Sequence, residues 1–167
     1  MEKRYEHITR TFGPIYDNFS EILILGSFPS VKSREVNFFY GHPQNRFWKV
    51  ISAVYGCPVP ESIEEKKEFL LHNHIALWDT IDSCDIIGSS DSTIKNVIPT
   101  DINIILRAAK IKAVFCNGAA SHRLYMKYCY PATGVEAIKL PSTSPANAAF
   151  SLEKLILIWT EEINKAI

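Results

Sequence analysis

At 167 residues, 47% apolar and 22% charged, the chain has the size and composition of one globular domain with a core of its own. Eighteen basic residues against eighteen acidic ones leave no net field, so bulk charge gives no argument for a polyanion partner and any such case rests on individual residues. Cys57, Cys84, Cys116 and Cys129 lack CxxC pairing, and no apolar run approaches the roughly 18 residues of a membrane span. The expectation is a reduced, intracellular, cytoplasmic protein with no membrane association. His72 and His74 stand two apart, a spacing that suits neither helical nor zinc-finger ligation, so no metal is expected.

No repeat, low-complexity tract or linker interrupts the chain, which predicts a single domain over 1–167. Glu21–Leu25 reads as a buried parallel strand ending abruptly in Gly26-Ser27-Phe28-Pro29-Ser30. After Phe38, Phe39 and Tyr40, a helix is predicted over Asn45–Tyr55, with Phe47, Trp48, Ile51 and Val54 on one face and Gly56 as its stop. Ser62 and Glu65 form a capping box that opens a charged helix to about Leu71. Ile75–Trp78 is a further strand, and Thr100 or Asp101 caps a short helix through Ala109. Lys112–Cys116 is a strand, Gly118 opens a helix to about Tyr128 that Pro131 ends, and Val135–Leu140 is the last strand. The final helix runs from about Ala146 to Lys165, with Phe150, Leu155, Ile158, Trp159 and Ile163 along one stripe. Strands alternating with helices imply an α/β protein whose parallel sheet is covered on both faces.

In open α/β sheets ligands bind beyond the carboxyl ends of the strands. Four loops fall at that edge: Gly26–Ser30, Asp79-Thr80, Cys116-Asn117-Gly118 and Leu140-Pro141-Ser142-Thr143-Ser144-Pro145. No GxxxxGK[ST] and no GxGxxG occurs there, which removes a P-loop and leaves a dinucleotide fold unsupported. Cys116 lies inside a strand and reads as structural rather than nucleophilic. What remains is aromatics, amides and hydroxyls: Phe28, Phe38, Phe39, Tyr40, Asn45, Asn117, Ser142, Thr143 and Ser144. Such a set holds a planar polar heterocycle by stacking and edge hydrogen bonds. Each member also has a plain structural reading. The rings seal a loop onto the core, Asn45 caps its helix, Ser142–Ser144 are turn residues between Pro141 and Pro145, and Asp79 makes a turn.

The spacing Gly26-Ser27-x-Pro29, then Gly41-His42-Pro43-Gln44-Asn45-x-Phe47-Trp48, resembles the uracil-DNA glycosylase superfamily. With Ala76–Asp79, Gly88–Ser92 and Leu140–Asn147, the pattern looks most like its hypoxanthine (deoxyinosine) branch. The resemblance implies a three-layer α/β/α sandwich with a central, mostly parallel four-stranded sheet. It implies a glycosylase acting on DNA containing a deaminated base. No lysine is placed as a Schiff-base nucleophile, so a monofunctional enzyme without cofactor is expected, and a monomer. Two positions depart from the superfamily. Phe28 stands where a water-positioning Asp or Asn precedes the proline, and Leu140 stands where the second motif opens with His or Asn; both speak against an ordinary uracil glycosylase.

Carried over by motif, Asn45 is the catalytic candidate. Gly26, Ser27 and Phe28 approach the base, Phe39 or Tyr40 stacks on it, and Asp79 and Asn117 read its edge. Ser30, His42 and Arg46 are expected to touch DNA, and Ser142, Thr143, Ser144 and Pro145 to push into the duplex. Lys32, Arg34, Arg46 and Lys49 are candidates for phosphate contacts, or an ordinary solvated surface. Two rival readings stand beside this one: a uracil or mismatched-thymine glycosylase, and a non-catalytic nucleotide- or DNA-binding module, which the losses at Phe28 and Leu140 keep open.

Overall fold

A computed structural model describes residues 4–167. Four parallel strands form the central sheet in the order β3-β2-β6-β7: β2 (Ile22–Gly26), β3 (Ile75–Asp79), β6 (Ala113–Asn117) and β7 (Ala137–Leu140). β2 and β3 are buried along their whole length. This is why their sequences read as unbroken apolar runs rather than alternating ones. Helices α2 (Phe47–Val54), α3 (Ile63–His72), α4 (Asn103–Ala108), α5 (Ala119–Leu124) and α7 (Leu152–Ala166) alternate with or follow these strands. The fold is α/β, as expected. The core joins Leu23, Ile24, Leu77 and Phe115 of the sheet to Phe47, Ile51, Leu155 and Trp159 of α2 and α7, all fully buried.

Helix boundaries follow their caps. Ser62 opens α3 by accepting the Glu65 N–H at 3.0 Å, as its capping box predicts. Neither Thr100 nor Asp101 caps α4 through its side chain; Ile102 holds the cap position. α7 begins at Leu152, not at Ala146, because Ser151 accepts the Lys154 N–H and residues before it are tied into turns. The helix expected to stop before Pro131 runs on instead. α5 passes into a π-helical turn over Tyr125–Cys129 and then α6 (Tyr130–Thr133), with Pro131 in the first turn of α6, where its missing N–H costs no bond. Gly134, at φ 67°, ends it.

A second sheet lies outside the sequence expectations. β4 (Ile81–Ile86) pairs antiparallel with β1 (Glu6–Thr9) on one side and β5 (Lys95–Pro99) on the other. Only Thr80 separates β4 from β3, so one continuous strand leaves the central sheet and enters the second. The Thr80 and Ile81 N–H groups still bond to Gly26 and Ser27 carbonyls of the β2 end. The second sheet therefore stands beyond the carboxyl edge of the first. Its small core of Phe28, Ile81, Cys84, Ile86 and Leu124 walls that edge. α1 (Val31–Val36), also unexpected, is opened by Ser30 and closed by Asn37 in the left-handed region. All four cysteines are free thiols. No helix among the described residues is long and apolar enough to cross a membrane.

Trp159 links helix to loop: fully buried, it donates its indole N–H to the Pro141 carbonyl at 3.0 Å. Trp159→Phe keeps an aromatic ring but leaves that carbonyl without its donor. The expected cost is about 2 kcal/mol of unfolding free energy, read as a lower urea midpoint at unchanged m-value.

Candidate active site

β2, β3 and β6 end side by side, and their loops enclose a cavity of about 400 Å³ at the carboxyl edge of the sheet. Its floor comes from the strand ends Gly26, Asp79 and Asn117, and its sides from Ser27, Phe28, Phe39, Tyr40, Asn45 and Thr143. Ser30, His42, Ser142, Ser144 and Pro145 border it. The residues expected to bind base or DNA thus line one cavity, Arg46 excepted; Phe38 lies in the core instead, and Lys32, Arg34 and Lys49 are outside the wall.

The strand register explains the floor. Gly26 pairs with Asp79 at the last position of the β2–β3 ladder. A Cβ on Gly26 would lie 2.5 Å from Asp79 Oδ1 and 3.2 Å from the Tyr40 hydroxyl, so only glycine admits both groups. Tyr40 itself has φ 52° and stacks on Phe47 at 4.1 Å between ring centroids. Its hydroxyl is buried with no hydrogen-bond partner among the described residues. Burial, with the neighbouring Asp79 charge, pushes the phenol pKa up, so it stays protonated as a donor.

Asn45 is held from two sides. Its Oδ1 accepts the Phe47 N–H at 2.9 Å and the Thr143 hydroxyl at 2.8 Å. Thr143 also accepts from Asn117 Nδ2 at 3.0 Å, and its own N–H donates to Asn117 Oδ1 at 3.0 Å. The backbone donor from Phe47 identifies the oxygen of Asn45, and two donors fill that oxygen's lone pairs. What Asn45 offers the cavity is therefore its amide N–H donors. Asn45 is not the cap its sequence position suggested: Arg46 holds the cap position of α2, and the Asn45 oxygen closes the turn that leads into the helix. Fully buried Thr143 is the hub of this network rather than a surface contact.

Other predicted residues are engaged elsewhere. Arg46 is no part of the cavity wall; its guanidinium donates to the carbonyls of Ser144, Asn147 and Phe150 and so pins the 141–150 loop. Arg34 donates to Gly88 at 2.7 Å, and Lys32 pairs with Glu35 at 3.4 Å. Of the four candidate phosphate contacts, Lys49 alone is exposed with its charge uncommitted to a partner among the described residues. Ser30 caps α1, and His42 Nδ1 accepts the Gln44 N–H. Phe28 turns most of its ring into the Ile81–Cys84–Leu124 cluster and is 7% exposed.

Sequence reasoning missed Arg10, Phe12, Ser33, Ser89 and Asp91. Arg10 Nη2 approaches Asp79 Oδ2 to 3.2 Å, with both side chains buried. Asp91 Oδ1 accepts the Ser27 hydroxyl at 2.8 Å and lines the cavity. Burial raises the carboxyl pKa of Asp79 and of Asp91; Arg10 opposes the rise at Asp79, and Ser27 opposes it at Asp91. Asp91 was findable, since it stands within the Gly88–Ser92 motif. Arg10 follows a short polar strand with no motif at all. No cluster of three or more His, Cys, Asp or Glu residues suited to a metal occurs among the described residues.

Gly26→Ala would drive a methyl group against a carboxylate that Arg10 holds from behind. A loss of about 1–3 kcal/mol is expected, measured by denaturant unfolding.

Comparison with known proteins agrees with this fold. A model of the uracil DNA glycosylase superfamily matches residues 14–161. A hypoxanthine DNA glycosylase of Methanosarcina acetivorans is 34% identical over 148 residues, which are 86% of this chain and 91% of that protein. A hypoxanthine DNA glycosylase of Methanosarcina barkeri is 32% identical over 92% of this chain and 97% of its own length. The solution NMR structure of a candidate uracil DNA glycosylase from Methanosarcina acetivorans superposes with a TM-score of 0.76 at 31% identity, covering 92% of this chain and 97% of that one.

Proposed function

We propose, from the premise that this chain belongs to the uracil DNA glycosylase superfamily, that it is a DNA glycosylase releasing a deaminated base, hypoxanthine first. The observation that carries the reading is the Asn45–Thr143–Asn117 network along the side and floor of a cavity that Asp79 also floors. It is a rigid set of donors and acceptors of the size and polarity to grip one extruded base. The two Methanosarcina relatives named for hypoxanthine support the choice of base.

The chemistry is hydrolysis. The bond from C1′ to N9 of the purine breaks with its electron pair going to the base, and the sugar passes through an oxocarbenium-like state. A water oxygen bonds to C1′; the proton it releases balances the one the departing base takes up. Flipping costs a few kcal/mol, least for a mispaired base. Within the cavity, Asn45 holds the attacking water through its amide N–H, Asp79 accepts a ring N–H of the base, and Phe39 and Tyr40 flank it. Such fixed dipoles act where charge develops in the transition state. Water attack on an oxocarbenium centre needs little general-base help, which suits an amide in this place. No cofactor enters these steps. The exposed Pro145 and Ala146 fill the gap left in the duplex. The protein acts as a single domain over 1–167 and as a monomer, inside the cell where its DNA substrate lies.

Asn45→Ala is expected to lower single-turnover hypoxanthine release by roughly 100- to 1000-fold, the usual effect of removing one oriented donor, while duplex binding persists. The measurement is abasic-site formation on duplexes with one hypoxanthine, uracil, xanthine or normal base. Release of uracil alone would move the specificity elsewhere in the superfamily, and no release from any duplex would leave a binding module.

A further inference from the structure

Asp79 has a guanidinium behind it and the cavity before it. Arg10 Nη2 lies 3.2 Å from Asp79 Oδ2, with the two side chains 3% and 6% exposed. Three aromatic rings surround the guanidinium, its carbon 5.1 Å from the centroid of Phe12, 5.6 Å from Phe39 and 5.9 Å from Trp78. Its Nε–H donates to the Phe12 carbonyl at 2.8 Å. On the other side, Asp79 Oδ1 lies against the bare Cα of Gly26 at the cavity floor.

A desolvated ion pair is a poor way to gain stability, and apolar residues of like volume commonly serve a fold as well or better. The Arg10–Asp79 contact is also off the line of a hydrogen bond, for both terminal nitrogens and Oδ2 lack hydrogen-bond partners among the described residues. Packing alone does not account for such an arrangement. An arginine is always charged, and aromatic faces stabilise it without offering acceptors that compete with Asp79. Arg10 therefore opposes the burial that raises the Asp79 carboxyl pKa and favours its charged form.

We propose that Arg10 is a positioning residue for base selection: it fixes Asp79 as an obligate acceptor at the cavity floor, and this acceptor takes bases carrying a ring N–H beside a carbonyl. The proposal rests on reading the cavity as a base pocket. Deamination makes that group. Adenine N1 and cytosine N3 are lone-pair acceptors, whereas hypoxanthine N1 and uracil N3 carry hydrogen. An ionised carboxylate attracts the second pair and repels the first. Guanine and thymine share the N–H, but intact pairing makes them dearer to flip. One pocket thus covers a substrate class, deaminated purines and pyrimidines, through a single contact.

The titratable groups around Asp79 are Arg10 after β1, the Tyr40 phenol and Asp91 on the turn after β4. Burial raises the Asp79 pKa, Arg10 lowers it and Asp91 raises it. Protonation would turn an acceptor into a donor facing the base N–H, so release should fall as pH falls through the Asp79 titration. Removing Arg10 shifts that fall to higher pH.

The test is single-turnover release of hypoxanthine across pH for wild type, Arg10→Gln and Arg10→Lys. The expected result is an acid limb displaced upward by about 1–3 pH units in Arg10→Gln, rates converging at high pH, and substantial return in Arg10→Lys. A uniform loss at every pH, or an unmoved limb, would overturn the proposal. Should Arg10→Gln fail to fold, Asp79→Asn decides: selectivity for hypoxanthine over adenine in an A·C mismatch must fall about tenfold or more, and unchanged selectivity sinks the idea. Carboxyl carbon NMR titration of Asp79, with and without Arg10, separates the two layers. A coupled titration without base release from any duplex keeps the Arg10–Asp79 charge lock while removing the glycosylase reading, and with it the base-selection role. Base release with an uncoupled Asp79 removes this proposal alone.

Discussion

The closeness of β2 and β3 at their last ladder position, Gly26 opposite Asp79, is the constraint on which the cavity depends. Two parallel buried strands stand about 4.8 Å apart, and the carboxylate of the second must lie over the backbone of the first. A hydrogen in place of a methyl group at Gly26 makes that possible. The same bare Cα leaves room for the Tyr40 hydroxyl, so a single missing side chain admits both polar groups at the floor.

From that floor the structure is built outward by groups satisfied on one side and open on the other. Asn45 gives its oxygen to Phe47 and Thr143 and keeps its N–H donors for the cavity. Ser27 is held by Asp91. Arg46 spends its charge on three loop carbonyls, and Trp159 fixes the Pro141 carbonyl from the core below. Preorganisation of this kind costs stability, visible in buried polar atoms without partners among the described residues: the Arg10 terminal nitrogens, Asp79 Oδ2 and the Tyr40 hydroxyl. Two of these residues, Tyr40 and Asp79, line the cavity; Arg46 Nε, Trp78 Nε1 and Thr100 Oγ1 are further buried atoms without a partner among the described residues that lie outside its wall.

Little of the local charge is free to hold a phosphate backbone. Arg34 and Arg46 brace loops and Lys32 is paired, in keeping with the balance of eighteen basic and eighteen acidic residues.

By itself the sequence determined the central sheet and the place of the site. Ile22–Gly26, Ile75–Asp79 and Ala113–Asn117 are apolar because both faces are covered, and parallel strands put the loops that follow them on one edge. Strand-end position placed Asp79, Asn117 and Thr143 at that edge, and motif spacing singled out Asn45. The second sheet was illegible, because β1 and β5 are short and exposed and β4 continues from β3 without a turn to announce it. Arg10 was equally hidden. Its partner, and the rings of Phe12, Phe39 and Trp78 around it, meet only when β1 pairs with β4 beyond the end of the central sheet. Which amide atom of Asn45 faces the cavity, and which arginines are spent on carbonyls, were likewise decided by tertiary structure, since hydrogen-bond partners far apart in the chain leave no period in the sequence.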